Sequence, residues 1–261
     1  MRRFWRIYRE FARSSIQREL EFRANFFAKI LRNMVWIVFF IVILLVTYSH
    51  TEMVAGWNRH EAAILAGSCF AVDAIIRTFA FSLMEIPQQV RMGTLDFVVT
   101  KPVDAQLWVS LRKVSLDQLG QFIAAIIFIG WGAANLGRTP TVLDWGAFGA
   151  LILCAVGVFF GIMSCLMTLG IWFVRVDNLW VLGDTAFQVS RFPIDIFPVA
   201  LRRALTYGLP IAFISTIPAS ALRTGASLPM LGLGILYAFL SLAICRAFWV
   251  YSVRHYSSAS S

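Results

Sequence analysis

The sequence predicts an all-α polytopic membrane protein. Of its 261 residues, 59% are hydrophobic and 14% are charged, and several apolar runs are too long for a water-soluble domain of this size to cover. The net charge of +9 is uneven, because nine of the 23 Arg and Lys residues lie in the first 32 positions, directly before the first apolar run. Basic residues beside a span direct topology and contact anionic lipid, so this charge does not indicate nucleic acid as a partner.

Residues 1–32 are predicted to form an amphipathic helix on the cytoplasmic membrane surface. Apolar residues recur every three or four positions between Phe4 and Leu31, which is the helical period. Arg6, Arg9 and Arg13 recur with the same period on another side of the helix, and such a helix lies in the interface with its aromatic side toward lipid. It is either a topology anchor or a lever that contacts a cytoplasmic partner.

Residues 33–261 are predicted to form a six-span domain with both termini in the cytoplasm. The predicted spans are Asn33–Ser49, Ala62–Leu83, Leu116–Leu136, Trp145–Val174, a short span from Leu179 to Arg191, and Leu228–Ile244 with its continuation to Val253. This orientation places 16 Arg and Lys residues inside and six outside, Arg191 among the outer ones. An excess of basic residues on the cytoplasmic side is the usual bias of membrane proteins.

Several polar side chains fall inside the predicted spans. Asp73 and Arg77 are four residues apart on one helical face, and a structural ion pair facing the bundle is favoured over a role in transport. The others either face a polar pathway or form hydrogen bonds between helices. The six candidate residues are Asp73, Arg77, Asp117, Gln121, Asp184 and Gln188.

Residues 193–221 are apolar but are interrupted by Pro193, Pro198, Pro210 and Pro218. So many prolines exclude one continuous helix, and irregular backbone is not tolerated against lipid. The segment is therefore predicted to form short re-entrant helices on the extracytoplasmic side, shielded by protein.

Residues 85–103 form the most informative polar segment, on the predicted cytoplasmic side. Pro87 suits the first turn of a helix and Gly93 suits the position just past its end, which predicts a short helix from Pro87 to Met92. Such a capped helix can transmit force to a groove in another protein, or it can lie on lipid.

Enzyme motifs are absent from the sequence. It contains no phosphate-binding loop, dinucleotide fingerprint, nucleophile elbow or zinc helix motif, and its Cys and His residues show no metal-ligand spacing. The chain is therefore expected to be non-catalytic and without a cofactor of its own, so a partner or an ion must supply energy. An ion-coupled transporter or channel, with Asp73, Arg77 and Asp184 as relay groups, is the alternative to a partner-driven one. A lipid-modifying enzyme is the weakest alternative.

Two motifs resemble those of bacterial type-2 ABC exporter permeases, the ABC-2 type family. The first is Ile-Pro-x-x-x-Arg-x-Gly-x-Leu-Asp-x-x-x-x-Lys-Pro-Val at residues 86–103. The second is Arg-Phe-Pro-Ile-Asp-Ile-Phe-Pro at residues 191–198, followed by an apolar proline-containing segment at 209–219. The order of the motifs and the six-span layout with a basic leader extend the resemblance over the whole chain.

The resemblance implies a half-permease of an exporter in the bacterial inner membrane. Two such subunits, identical or related, would form the membrane domain, and each would dock on a separate ATPase that binds ATP and magnesium. The leader would be the connecting helix, and residues 193–221 would be re-entrant helices. Residues implied in coupling to the ATPase are Glu85, Ile86, Pro87, Arg91, Gly93, Leu95, Asp96, Lys101 and Pro102. The transported substrate is not indicated.

Overall fold

A computed structural model describes residues 2–21, 23–173 and 179–256 of the chain. Within these ranges the backbone is helical, with short 3-10 segments, loops and an isolated β-bridge between Val54 and Trp57. The end of the fourth predicted span at Val174 lies outside the described residues. The α-helices are α1 (Arg2–Glu21), α2 (Arg23–His50), α3 (Arg59–Phe79), α4 (Ile86–Arg91), α5 (Asp96–Val99), α6 (Ala105–Leu111), α7 (Leu119–Ala134), α8 (Val142–Thr168), α9 (Leu179–Val189), α10 (Val199–Arg203), α11 (Thr216–Arg223) and α12 (Leu228–Arg254).

Four helical segments are long and apolar enough to cross a membrane. They are Ala24–His50, Arg59–Phe79, Val142–Ile171 and Leu228–Arg254, and they confirm a multi-pass membrane protein. The apolar helix α7 has 16 residues and α9 has 11, which correspond to about 24 Å and about 16 Å at 1.5 Å per residue. Both are shorter than a hydrocarbon core of about 30 Å, so the six-span layout remains a prediction.

Helix α3 lies at the centre of the bundle and packs against α7, α8 and α11. Glycines permit its close approach to α7, since a Cβ atom at Gly132 would lie 2.6 Å from the His60 carbonyl oxygen. At Gly67, likewise, a Cβ atom would lie 3.0 Å from the Ala125 carbonyl oxygen. Asn58 caps the start of α3, and its side chain accepts bonds from the backbone of His60 and Glu61. Backbone contact of this kind makes α3 and α7 one tightly packed pair.

The N-terminal amphipathic helix is shorter than the predicted range of residues 1–32. Helix α1 ends at Glu21, and α2 begins at Arg23 and continues without a break to His50. Residues 23–32 therefore belong to the same helix as the first span, because their apolar periodicity continues directly into the apolar run. The amphipathic part is α1.

Residues 191–223 form the broken helical segment that the prolines predict. A 3-10 turn at Ile194–Ile196 is followed by α10, a π-helical turn at Ala204–Gly208, a 3-10 turn at Ile211–Phe213 and α11. Phe213 and Leu222 are fully buried, so part of this segment is shielded by protein, as expected. Its re-entrant position in the membrane remains a prediction.

Arg191 lies deeper in the bundle than the sequence predicts. Ser190 Oγ is 3.5 Å from Cys69 Sγ, and Cys69 is ten residues inside α3, about 15 Å from its first residue. Helix α9 is too short to carry Arg191 to the end of the bundle at which α3 begins, so the structure does not support the predicted position of this residue at that end.

Candidate functional site

The predicted short cytoplasmic helix is present as α4, shifted by one residue from the predicted bounds. Pro87 occupies its first turn, and Gly93 has a φ of +65°, the left-handed conformation that side chains disfavour. This turn lets the backbone N–H groups of Thr94 and Leu95 donate to the Gln89 carbonyl at 3.0 and 3.2 Å. The chain then enters α5, which ends at Val99, just before Lys101 and Pro102 as predicted.

One face of this segment holds it to the bundle. Ile86, Val90, Leu95 and Val98 are buried in the main core. Pro87 packs closely against Gly170, just after α8, since a Cβ atom added at Gly170 would lie 3.1 Å from the Pro87 Cα. Helix α4 therefore rests directly on the C-terminal end of α8, where it can pass a displacement into the bundle.

The opposite face of the segment is exposed. Met92 and Phe97 expose 60% and 71% of their surface, and Arg91 and Lys101 are also exposed. Large apolar side chains beside charged ones on a rigid base are typical of a protein contact surface.

Glu85 joins α4 to the segment that follows α6. Its carboxylate accepts hydrogen bonds from Arg112 Nη2 and Lys113 Nζ, and Ser82 Oγ accepts from the Lys113 backbone N–H at 3.0 Å. Partial burial acts to raise the pKa of Glu85, but the hydrogen bonds and positive charges of Lys113 and Arg112 outweigh it and lower the pKa.

Helix α1 packs beside this segment through aromatic and polar contacts. The Phe11 ring meets Trp108 edge-on at 4.6 Å between centroids, and Ser15 Oγ accepts from the Val114 N–H at 3.3 Å. Two of the three predicted basic residues, Arg9 and Arg13, are exposed. Arg6 lies in α1, but its side chain is outside the described part of the chain.

A groove of about 510 Å³ separates α1 from α5 and α6. Lys101 Nζ lies 4.2 Å from the centroid of the Trp108 ring, a cation–π contact. We call this the docking groove, and it is lined by Phe11, Ser14, Ser15, Thr94, Phe97, Val98, Lys101, Trp108, Arg112 and Lys113. The sequence did not indicate the contribution of Trp108, because α6 is too short for its apolar period to be distinctive.

Helix α6 is tied to the last helix by ionic contacts. Arg246 Nη2 lies 2.5 Å from Asp104 Oδ2, and its Nη1 donates to Gln106 Oε1 at 3.0 Å. Asp104 also caps α6 by accepting from the Leu107 N–H at 3.0 Å. The segment from α4 to α6 is thereby fastened to α8 at one end and to α12 at the other.

Five of the six predicted intramembrane polar residues form one network. Arg77 Nε donates to Asp73 Oδ1 at 2.8 Å, which confirms the predicted pair, and Arg77 Nη2 donates to Asp184 Oδ1 at 2.5 Å. Gln121 Nε2 donates to Asp73 at 2.8 Å, and Gln188 Nε2 donates to Asp184 at 3.1 Å. The network thus joins α3, α7 and α9.

The polar network is buried at Asp73 and partly exposed at Asp184. The Asp73 side chain is 6% exposed, whereas that of Asp184 is 24% exposed and Gln188 is exposed. The Trp180 ring, which the sequence did not single out, lies 5.3 Å from Arg77 Cζ. The hydrogen bonds support the structural interpretation of these residues, while the side of the network on α9 remains exposed.

Asp117 lies apart from this network. Its carboxylate accepts from Ser115 Oγ and from Gln118 Nε2, and its carbonyl accepts from Asn33 Nδ2 at 2.9 Å. It therefore connects the start of α7 to α2. Across residues 2–21, 23–173 and 179–256, no group of three or more His, Cys, Asp or Glu side chains could hold a metal ion.

The fold and this surface define the class of protein: a multi-pass helical membrane protein with a structured contact surface at one end. A family model described as ABC-2 family transporter protein matches residues 34–260. The chain belongs to this family and is a permease component of an ABC transporter. No significant match was found among curated proteins or solved structures.

Proposed function

We propose that this chain is the permease subunit of an ATP-driven exporter and that it docks a separate ATPase through α4, α5 and the docking groove. The observation that supports docking most directly is the exposure of Met92 and Phe97 on a segment fastened to α8. Closure of the ATPase on ATP would press on α4, and α4 would displace the cytoplasmic end of α8.

In this proposal two permease subunits, identical or related, enclose the transport pathway. The exposed side of the polar network on α9 supports this arrangement, because Val181 and Leu182 beside Asp184 are also exposed. Intramembrane polar groups usually face protein or water. The subunit would lie in the bacterial cytoplasmic membrane with both termini inside, and ATP and magnesium would be bound by the ATPase alone.

The decisive experiment replaces Phe97 by Ser and measures binding of the ATPase and stimulation of its activity. Loss of a buried aromatic contact costs about 1.5–3 kcal/mol, so the affinity should fall about 10- to 100-fold. Ile196→Ser is the matched control, because Ile196 is a 45% exposed apolar residue at the other end of the bundle. Unchanged affinity in Phe97→Ser would contradict docking at this surface.

An ion-coupled transporter is the second candidate, supported by the network of Asp73, Arg77 and Asp184. It requires ion-driven flux through the purified chain without an ATPase. Reconstituted vesicles that show flux only with the ATPase and ATP would exclude it.

A further inference from the structure

Arg191 is a charged side chain at mid-height of the bundle. The residue before it, Ser190, contacts Cys69 at the middle of α3, about 15 Å from either end of that helix. Phe40 of α2 is at the same level, since its ring lies 5.2 Å from that of Phe70. A depth of about 15 Å is the middle of a hydrocarbon core of about 30 Å.

Arg191 differs from the other arginines of the membrane region in its contacts. In the described part of the chain no Asp or Glu oxygen forms an ion pair with it, and its buried Nε makes no hydrogen bond. Its guanidinium lies over the Trp36 ring at 4.9 Å, a contact that leaves the positive charge unneutralised. Arg77, Arg138, Arg202 and Arg223, by contrast, each have a carboxylate within 4.0 Å.

The acidic residue of the same motif is not available to Arg191. Asp195 Oδ2 accepts from Trp57 Nε1 at 3.0 Å, and Asp195 Oδ1 lies 3.3 Å from Arg202 Nη1. Arg191 and Asp195, the two charged residues of the 191–198 motif, therefore have different roles. Asp195 fastens the extracytoplasmic turn, whereas Arg191 has no carboxylate partner within the described chain.

An apolar cavity of about 60 Å³ opens beside Arg191. It lies between α2 and residues 191–196, and it extends from Arg191 toward the outer end of α2 at Tyr48. The Tyr48 hydroxyl is occupied, because it donates to the Trp57 carbonyl at 2.9 Å. Apolar side chains that line the cavity include Phe40, Leu44, Leu65, Phe192 and Ile196.

We propose that Arg191 binds the acidic group of an amphipathic anion, that the carbons next to this group occupy the cavity between α2 and residues 191–196, and that the rest of the hydrocarbon body extends out of the cavity into lipid. An arginine that lines an apolar cavity and has no carboxylate partner matches a carboxylate or phosphate attached to a hydrocarbon body, because the acidic group meets the guanidinium and the carbons meet apolar side chains. This inference identifies the class of ligand that the permease binds. It rests on the proposed function only where the ligand is taken to be the transported substrate.

The test measures ligand binding to the full chain in nanodiscs of neutral phosphatidylcholine. The probes are oleate and oleyl alcohol, which share a hydrocarbon chain and differ in the anionic group. Wild-type protein should bind oleate at least about tenfold more tightly than oleyl alcohol, as expected for a charged hydrogen bond at a desolvated site. Equal binding of the two probes would overturn the proposal.

Variants test whether the preference for oleate over oleyl alcohol depends on the Arg191 side chain. Arg191→Gln should abolish the preference for oleate, and Arg191→Lys should keep most of it, because the lysine retains the charge. Arg203→Gln is the matched control, since Arg203 is exposed in the same half of the molecule and its loss should leave the preference unchanged. Thermal unfolding of each variant identifies any that fails to fold, and the comparison of probes on the wild type stands without them.

A second subunit is the other possible source of an anion for Arg191. If Arg191→Gln separates the subunits, whether or not it alters probe binding, the charge belongs to a subunit contact and the proposal is overturned. The binding assay contains no ATPase, so its outcome is independent of the Phe97→Ser experiment. Either proposal can therefore fail while the other stands.

Discussion

The two edges of the bundle are built alike, yet their charged residues are satisfied differently. Both edges consist of short helices separated by proline and glycine. At the edge that is extracytoplasmic in the proposed orientation, Arg202 and Arg223 each have a carboxylate of their own. At the edge that is cytoplasmic in that orientation, Arg112 and Lys113 share Glu85, and Lys101 lies over Trp108.

This difference shows what makes a broken helical segment available to a partner. Internal ion pairs of Arg202 and Arg223 fasten the extracytoplasmic edge to the rest of the bundle. The docking groove instead contains a surplus of positive charge beside exposed aromatic surface, which is complementary to an acidic or aromatic protein segment. The comparison can be tested by equivalent changes at the two edges.

The largest expected difference comes from a pair of glycines with positive φ. Gly93 has a φ of +65° and Gly225 one of +109°, and valine at either position is strained by about 1–2 kcal/mol. Gly93→Val should abolish permease-stimulated ATPase activity, whereas Gly225→Val should lower thermal stability and leave stimulation intact. Activity assays on the two purified complexes, matched for the amount of folded permease, provide the measurement. Normal stimulation in Gly93→Val would remove the distinction between the edges.

Arg223→Gln should destabilise the protein without changing coupling. Arg223 Nε lies 2.9 Å from Glu61 Oε1, its Nη2 donates to the Gly56 carbonyl at 2.6 Å, and its guanidinium lies over Trp57. Removing one partner of a partly buried pair should lower the free energy of unfolding by about 1–3 kcal/mol. Denaturant unfolding in detergent measures this change. If ATPase stimulation per folded permease also fell, the extracytoplasmic edge would have a role in coupling.

Glu85 makes the cytoplasmic edge sensitive to acid. Because its pKa is lowered in the folded protein, its contribution to stability is complete above the ordinary glutamate pKa of about 4.3 and is lost as pH falls through the lowered value. Glu85→Gln should remove the contribution at neutral pH, at a cost of about 1 kcal/mol or less. The loss of stability between pH 5 and more acidic conditions should be smaller in the variant than in wild type. Identical pH profiles would show that the contact contributes nothing.

The smallest effect is expected from the exposed basic side of α1. Replacing Arg6, Arg9 and Arg13 together by Gln should weaken assembly with the ATPase about threefold, because exposed charges such as those of Arg9 and Arg13 contribute only a few tenths of a kcal/mol each. Titration of the ATPase at low and high salt measures the change, which should vanish at high salt. An unchanged affinity at low salt would leave α1 with the role of a topology anchor.

Local sequence patterns were sufficient to predict the short helix within residues 85–103. The limits of α4 follow from Pro87 and Gly93, whose backbone preferences act within a few residues, and the contact of Asp73 with Arg77 follows from their spacing on one helix. The participation of Asp184 and Gln121 in the same network depends on how α3, α7 and α9 pack. That packing is not encoded in any short segment.

The depth of Arg191 could not be obtained from charge alone. A basic residue just after a predicted span is normally placed at the membrane surface, because an arginine in the hydrocarbon core is costly. The 11 residues of α9 end well inside the bundle, and the contact of Ser190 with Cys69 fixes that depth. The length and packing of α9 therefore determine the position of Arg191 in the bundle, and the general tendency of basic residues to follow a span at the membrane surface does not apply to it.

Helix α8 connects the two edges in a single rigid element. Its N-terminal Asp144 accepts from the Ala226 N–H at 2.7 Å, next to the start of α12, and its cytoplasmic end meets Pro87. The 27 residues of α8 measure about 40 Å, so a tilt of about 5° about one end displaces the other by roughly 3 Å. A small change of angle where α8 meets Pro87 would therefore be enlarged into a displacement of a few ångströms at the opposite edge.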